Sequence, residues 1–279
     1  MTAGDTFHIR GGMSGRPAVA FLGGDTDDGV QIDSFMAARV GANDTTGTFS
    51  LWFNVADLTG TYAVIGGGDA SAVQYFYIAI VAGEIQVKAA LVGPNVAWDL
   101  ITIGAPIVAH SWHNVTLVQD ALKPKVYIDG VEFSANKGTL TETDITESTF
   151  WFDAFDLIDG GHIGAADSIA GSAALTLEMK GAVGETKYWD AALTSAEVLE
   201  NYLGRGQTTD LVAKWDMIDD VVDSVGGEDG TLVGQVIQQS NYSEFASRFA
   251  HELTPAVVAD DVTFSVDNNT GYAIIVKAA

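Results

Sequence analysis

Glu142-Thr143-Asp144-Ile145-Thr146-Glu147 is the stretch whose residue types and spacing come nearest to catalytic equipment. Side chains alternate between the two faces of a strand, so Glu142 and Asp144 would share one face, and a bulge would re-aim Glu147 to it. Two carboxyl groups about 5 Å apart across a sugar linkage are what retaining glycoside hydrolysis requires. The surrounding composition argues the other way. The stretch is rich in Thr, and within it only Ile145 is bulky and apolar, whereas a catalytic strand inside a sandwich would alternate with such residues. Lying between the hairpin before it and Phe150-Trp151-Phe152 after it, the stretch 139–148 is expected to form a connecting loop, with Glu142 and Glu147 in solvent and no reaction catalysed.

A metal is the second chemistry to weigh. Asp25, Asp27 and Asp28 cluster in one turn, with Asp69 and Asp167 in other loops. Loop carboxylates suit Ca²⁺, which takes about six to eight oxygen ligands. Asp25-Thr26-Asp27-Asp28-Gly29 is too short for an EF-hand loop, and Asp-Gly turns occur without metal. The expectation is no cofactor, with Ca²⁺ at Asp25, Asp27 and Asp28 as the open alternative. His8, His110, His162 and His251 have no ligand spacing, and His113 beside Trp112 reads as a residue facing away from the core. The chain has no cysteine, which excludes disulfides, thiolate metal sites and Cys nucleophiles. No Ser-His-Asp arrangement, phosphate-binding loop or basic aromatic strip is readable.

The elements that would position these residues read as strands. In Ser111-Trp112-His113-Asn114-Val115-Thr116-Leu117-Val118 and Lys125-Val126-Tyr127-Ile128-Asp129-Gly130-Val131, Val115, Leu117, Val126 and Ile128 alternate with their neighbours. Lys123-Pro124 separates the runs and Asp129-Gly130 ends the second, both with turn chemistry. Tyr75-Phe76-Tyr77-Ile78-Ala79-Ile80 and Glu84-Ile85-Gln86-Val87 flank a Gly83 turn as a further hairpin, and Thr149-Phe150-Trp151-Phe152 and Ala174-Leu175-Thr176-Leu177-Glu178-Met179 add strands. One helix is well signalled. Thr194 and Glu197 form a capping box, Leu193 and Val198 a hydrophobic staple, Leu199, Tyr202 and Leu203 an apolar face, and Gly204 the stop.

The Trp-His strand followed by Tyr-Ile-Asp-Gly resembles the central hairpin of LamG-like jelly rolls, the concanavalin A-like lectin and glucanase family. Members carry Trp-His-His-Val, and here Asn114 stands for the second His. The run from Ala18 to Leu22 and that from Gly29 to Asp33 resemble the family's opening hairpin, and Gly47-Thr48-Phe49-Ser50-Leu51-Trp52-Phe53 its core strand. Gly181 through Trp189, with Ala191-Ala192-Leu193-Thr194-Ser195-Ala196-Glu197-Val198, is similar to its closing strand and helix, and Leu211-Val212-Ala213-Lys214-Trp215, Asp223-Ser224-Val225-Gly226-Gly227 and Gly230-Thr231-Leu232-Val233-Gly234 to its last module. The likeness spans residues 18–235. It implies an all-β, antiparallel jelly-roll sandwich with one or two short helices, in which Trp52, Trp112 and Trp189 are core. The same fold houses laminarinase-type glycoside hydrolases. Their bulged catalytic strand would make Glu142 the nucleophile, Asp144 its electrostatic partner and Glu147 the acid/base, but the Trp-Gly lead-in of that strand is missing, Gly138-Thr139-Leu140 standing in its place.

The chain of 279 residues is long for one domain but ordinary for one large β-sandwich, and 47% hydrophobic residues supply a sizeable core. Residues 1–17 read as an arm, 18–239 as the sandwich, and 240–279 as an extension with a helix over 242–253 and a hairpin of Asp261-Val262-Thr263-Phe264-Ser265-Val266 and Tyr272-Ala273-Ile274-Ile275-Val276. A formal charge of −24 makes nucleic acid and anionic membrane poor partners. No apolar run is long enough to span a bilayer, and Met1-Thr2-Ala3-Gly4-Asp5-Thr6-Phe7-His8 is not a secretory signal. LamG-like modules usually act outside cells. One resolution is a non-enzymatic virion structural protein, a phage head decoration or tail fibre component, made in host cytoplasm and released by lysis. A chain stripped of its export signal would read the same way. Its partners would be other virion proteins or copies of itself, through residues 1–17 and 241–279. The alternative is a carbohydrate-binding, lectin-like module for a cell-surface glycan, and a third reading is the glycoside hydrolase.

Overall fold

Hydrophobic alternation and tight turns organise the chain into antiparallel strands. The computed structural model describes residues 7–10, 16–21, 27–69, 71, 74–90, 96–133, 139–145, 149–155, 158, 160–166, 175–239, 262–267 and 271–276. In chain order the first elements are β1 (Phe7–Arg10), β2 (Ala18–Phe21), β3 (Gly29–Gln31), α1 (Asp33–Ala42), β4 (Gly47–Val55), β5 (Thr61–Asp69), β6 (Gln74–Val81), β7 (Glu84–Ala90) and β8 (Val96–Ile103). There follow β9 (His113–Gln119), β10 (Lys125–Ile128), β11 (Val131–Glu132), β12 (Thr139–Ile145), β13 (Gly160–Ile163), β14 (Gly181–Trp189) and α2 (Ser195–Tyr202). The last are β15 (Leu211–Trp215), β16 (Thr231–Val233), β17 (Val236–Gln239), β18 (Val262–Asp267) and β19 (Gly271–Val276).

Two eight-stranded sheets result. The first runs β11-β10-β9-β4-β14-β2-β17, with β15 also on β14, and the second β12-β8-β7-β6-β5-β13-β3-β16. Their inner faces make one core, where Phe49 of β4 stacks on Phe76 of β6 with centroids 5.8 Å apart. The architecture is the all-β jelly-roll sandwich that the sequence implies. The Lys123-Pro124 turn closes β9 onto β10, with Val118 opposite Lys125 and Val115 opposite Ile128. A two-residue turn at Ala82-Gly83, both at positive φ, closes β6 onto β7.

Several expectations are corrected. β2 and β3 are not a hairpin, for they lie in different sheets. Residues 149–152 are not a strand. A 3-10 turn over Phe152–Ala154 plugs Phe150, Trp151 and Phe152 into the core end, where their bulk is wanted more than their β-propensity. Over the described residues 175–179 only an Ala166–Thr176 bridge forms. Residues 139–145 are a strand, β12, rather than a loop, because the free edge of β8 takes up their backbone groups. Helix α1 carries no sequence signal of its own, since Ile32 at its N-cap makes no side-chain cap. Tertiary packing of Phe35 and Met36, both fully buried, holds it.

At the chain's two ends, β1 pairs with β19 and β19 with β18 in a separate three-stranded sheet. The arm thus contains a strand that meets the terminal hairpin. The helix expected over 242–253 lies outside the described residues.

Candidate functional site

The carboxylate stretch lands at the edge of the second sheet. Glu142 pairs with Leu100 and Asp144 with Asp99, and the register shifts between them. The bulge therefore falls between the two residues instead of after them. Glu147 lies outside the described residues.

Of the three clustered aspartates, Asp25 lies outside the described residues, as does Asp167. Asp27 is exposed, and its N–H donates to Glu178 Oε1 at 3.4 Å. Asp28 is buried, and its Oδ1 accepts the Gln235 N–H at 2.6 Å, tying the turn between β16 and β17 to the start of β3. Asp69 Oδ1 likewise caps a turn, accepting from Ser71 N and Oγ at 2.8 and 2.6 Å. Asp28 Oδ2 has no hydrogen-bond partner, the one feature that would suit a cation. Yet the described residues bring no group of three or more His, Asp or Glu together there or elsewhere. They do not amount to a Ca²⁺ shell.

His113 and Asn114 serve the fold. His113 Nδ1 lies 2.9 Å from Asp129 Oδ2, and its Nε2 accepts the Val108 N–H at 3.0 Å. That acceptor role puts the ring proton on Nδ1 and leaves no free lone pair for base catalysis. Asp129 Oδ1 also takes the Asn114 N–H, so the Asp-Gly turn is locked onto the Trp-His strand. On the outer face of the first sheet, Asn114, Ser50, Thr116 and Asn201 of α2 form a buried polar hub, in which Asn201 Nδ2 donates to Ser50 Oγ at 2.8 Å. Trp52 and Trp189 are buried, but on this outer face under α2 rather than between the sheets. Trp52 is sandwiched between Tyr202, at 5.4 Å, and the Arg16 guanidinium, at 3.3 Å. Trp112 is half-buried.

The outer face of the second sheet is different in kind. Tyr75 and Tyr77 on β6 stand side by side, rings 4° from parallel and 6.1 Å between centroids. The Tyr77 hydroxyl donates to Gln86 Oε1 at 3.1 Å, Gln86 Nε2 donates to Asp99 Oδ1 at 2.7 Å, and Lys88 Nζ lies 3.0 Å from Asp99 Oδ2. Three neighbouring strands thus share one polar chain. Opposite the tyrosines, β5 presents Gly66 and Gly68. A Cβ at Gly68 would come within 2.6 Å of Tyr75 Cα, so only glycine lets the strands lie this close. Ala166 and Leu177 pack along the same side. Tyr77 and Asp99 are each only 8% exposed. Burial, then Asp99 and Tyr75, push the Tyr77 phenol well above its usual pKa, so it stays a neutral donor. The sequence reading found the β6–β7 hairpin but not this site. The available signal was Tyr75 and Tyr77 in the strand phase opposite to Phe76 and Ile78.

A two-sheet jelly roll with aromatic and hydrogen-bonding side chains along an outer sheet face is a lectin-class architecture. Residues 23–199 match the model of the Concanavalin A-like lectin/glucanases superfamily in its laminin G form, and the chain belongs to that family. No curated protein matches it in sequence. Among solved structures it is similar to the CBM40 of the Ruminococcus gnavus IT-sialidase, with a TM-score of 0.51 and 13% identity over 69% of this chain and 98% of that one. It is similar also to the heptameric SAP-like pentraxin of Limulus polyphemus, with a TM-score of 0.50 and 12% identity over 80% of this chain and 94% of that one. At such identity the likeness is one of fold.

Proposed function

We propose that the chain is a non-catalytic carbohydrate-binding module whose ligand lies along the outer face of β6, β7 and β8. The observation that carries this is the Tyr75–Tyr77 pair beside the Tyr77–Gln86–Asp99–Lys88 chain. Aromatic side chains offer an apolar surface to the C–H faces of a sugar ring, and a few convergent polar groups fix its orientation. The test is retention of the full chain on an oligosaccharide panel. Tyr75→Ala should lose most of it while melting as the parent does, and no reducing ends should appear from β-glucans. Unchanged retention in Tyr75→Ala, or β-glucan hydrolysis abolished by Glu142→Gln, would overturn the reading.

The three-stranded sheet favours a second role. We infer that it is an assembly element, holding the chain among copies of itself or other proteins of a virus particle. Among the described residues its outer strands, β1 and β18, each pair with one strand only, and such edges are templates for adding another chain's strand. Chains lacking residues 1–17 or 241–279 should keep the sandwich's cooperative melting and lose assembly in sedimentation. Assembly that survives both truncations would count against this role.

A further inference from the structure

A glycan that carries a carboxylate or sulfate is held by Arg or Lys whose hydrogen bonds are free for it. Among the described residues, this face has one cation. Lys88 is the only Lys or Arg between Arg39 and Lys123, which covers β5 to β8, and none lies between Lys137 and Lys180, which covers β12 and the segment through Ala166 and Leu177. Lys88 is already committed, its Nζ lying 3.0 Å from Asp99 Oδ2 with both side chains largely buried. Asp99 Oδ1 holds Gln86 in turn. Beyond the site, a net charge of −24 repels any anionic ligand at the first encounter.

Resting on the reading of this face as a glycan site, we infer that its ligand is an uncharged glycan and that the Lys88–Asp99 pair excludes acidic sugars. The pair keeps the cation from a sugar carboxylate. A bound anion would have to compete with Asp99 for Lys88 inside a largely buried pair, which is costly.

The experiment uses the full chain against a panel of neutral, sialylated, uronate, sulfated and amino-sugar oligosaccharides, at low and high salt. Binding should be confined to neutral members, with an affinity that salt leaves unchanged. Asp99→Asn, which frees Lys88, should raise binding of acidic members by about tenfold. Tighter binding of acidic or amino sugars by the parent chain would overturn the inference while leaving the glycan reading intact. So would an Asp99→Asn variant that still binds neutral members and gains nothing for acidic ones. Binding to no member would overturn the glycan reading itself, and this inference with it.

Discussion

Asp57 gathers the Thr59 N–H at 3.0 Å, the Thr59 hydroxyl at 2.8 Å, the Tyr62 hydroxyl at 2.8 Å and Lys180 Nζ at 2.9 Å onto one carboxylate. The Lys180 hydrogen bond, then the Thr59 N–H, hold its pKa far below the usual carboxylate range, and burial first, then the hydrogen bond to Asp57, pushes the Tyr62 phenol up to about 12. A carboxyl depressed on folding adds stability above its unfolded pKa of about 3.9 and loses it as pH falls toward the folded value. Asp57→Asn should therefore melt lower than the parent at pH 7, by about 2–4 °C for each kcal/mol lost. The difference should narrow steadily below about pH 4. A gap that persists unchanged into strong acid would show that the carboxylate's charge is not what matters. Asp223 works similarly by geometry: its carboxylate accepts from the N–H groups of Lys214, Val225, Gly226 and Glu228, which fixes the loop after β15.

Helix α2 shows how an element can be foreseen and its buried face misjudged. The capping box of Thr194 and Glu197 forms as the sequence indicates, and Leu193 and Val198 pack with Trp189. Yet Leu199 and Leu203 are 41% and 50% exposed, while Asn201 is buried. The reason is the surface it lands on: Ser50, Asn114 and Thr116 present polar groups that a leucine would leave unsatisfied. Asn201→Ala should cost about 1–3 kcal/mol. Leu199→Ala and Leu203→Ala should each change stability by less than about 0.5 kcal/mol. Urea midpoints decide it, and a ranking with the leucines ahead of Asn201 would refute the polar docking. β12 teaches a related lesson. Its Thr-rich sequence satisfies a strand, but its place depends on the free edge of β8, more than thirty residues earlier in the chain.

Over the whole molecule, cations are too few to offset the acids. Lys88, Lys125, Lys180, Lys187, Arg205 and Lys214 each sit in an ion pair, and with 37 acidic against 13 basic residues most carboxylates remain uncompensated. Self-repulsion of that size opposes compactness and is screened by salt. The melting temperature should rise with ionic strength, most steeply below about 0.15 M, where the screening length changes fastest. A curve that is flat or falls with salt would mean that local pairing already balances the field.

The β9–β10 hairpin with its Asp-Gly turn, the β6–β7 hairpin, the capping box and the jelly-roll family were legible in the sequence alone. Each is written in near neighbours: a period of two, a turn dipeptide, a cap three residues from its partner. The faces were not. All nine residues of β4 and all seven of β9 are buried, because one side faces the core and the other is covered on the outer face of the sheet. When both faces are buried, alternation no longer says which side is inside. The pairing of Lys88 with Asp99, the seat of Asn201 and the meeting of β1 with β19 join residues far apart in the chain, and only packing of the finished sheets could bring them together.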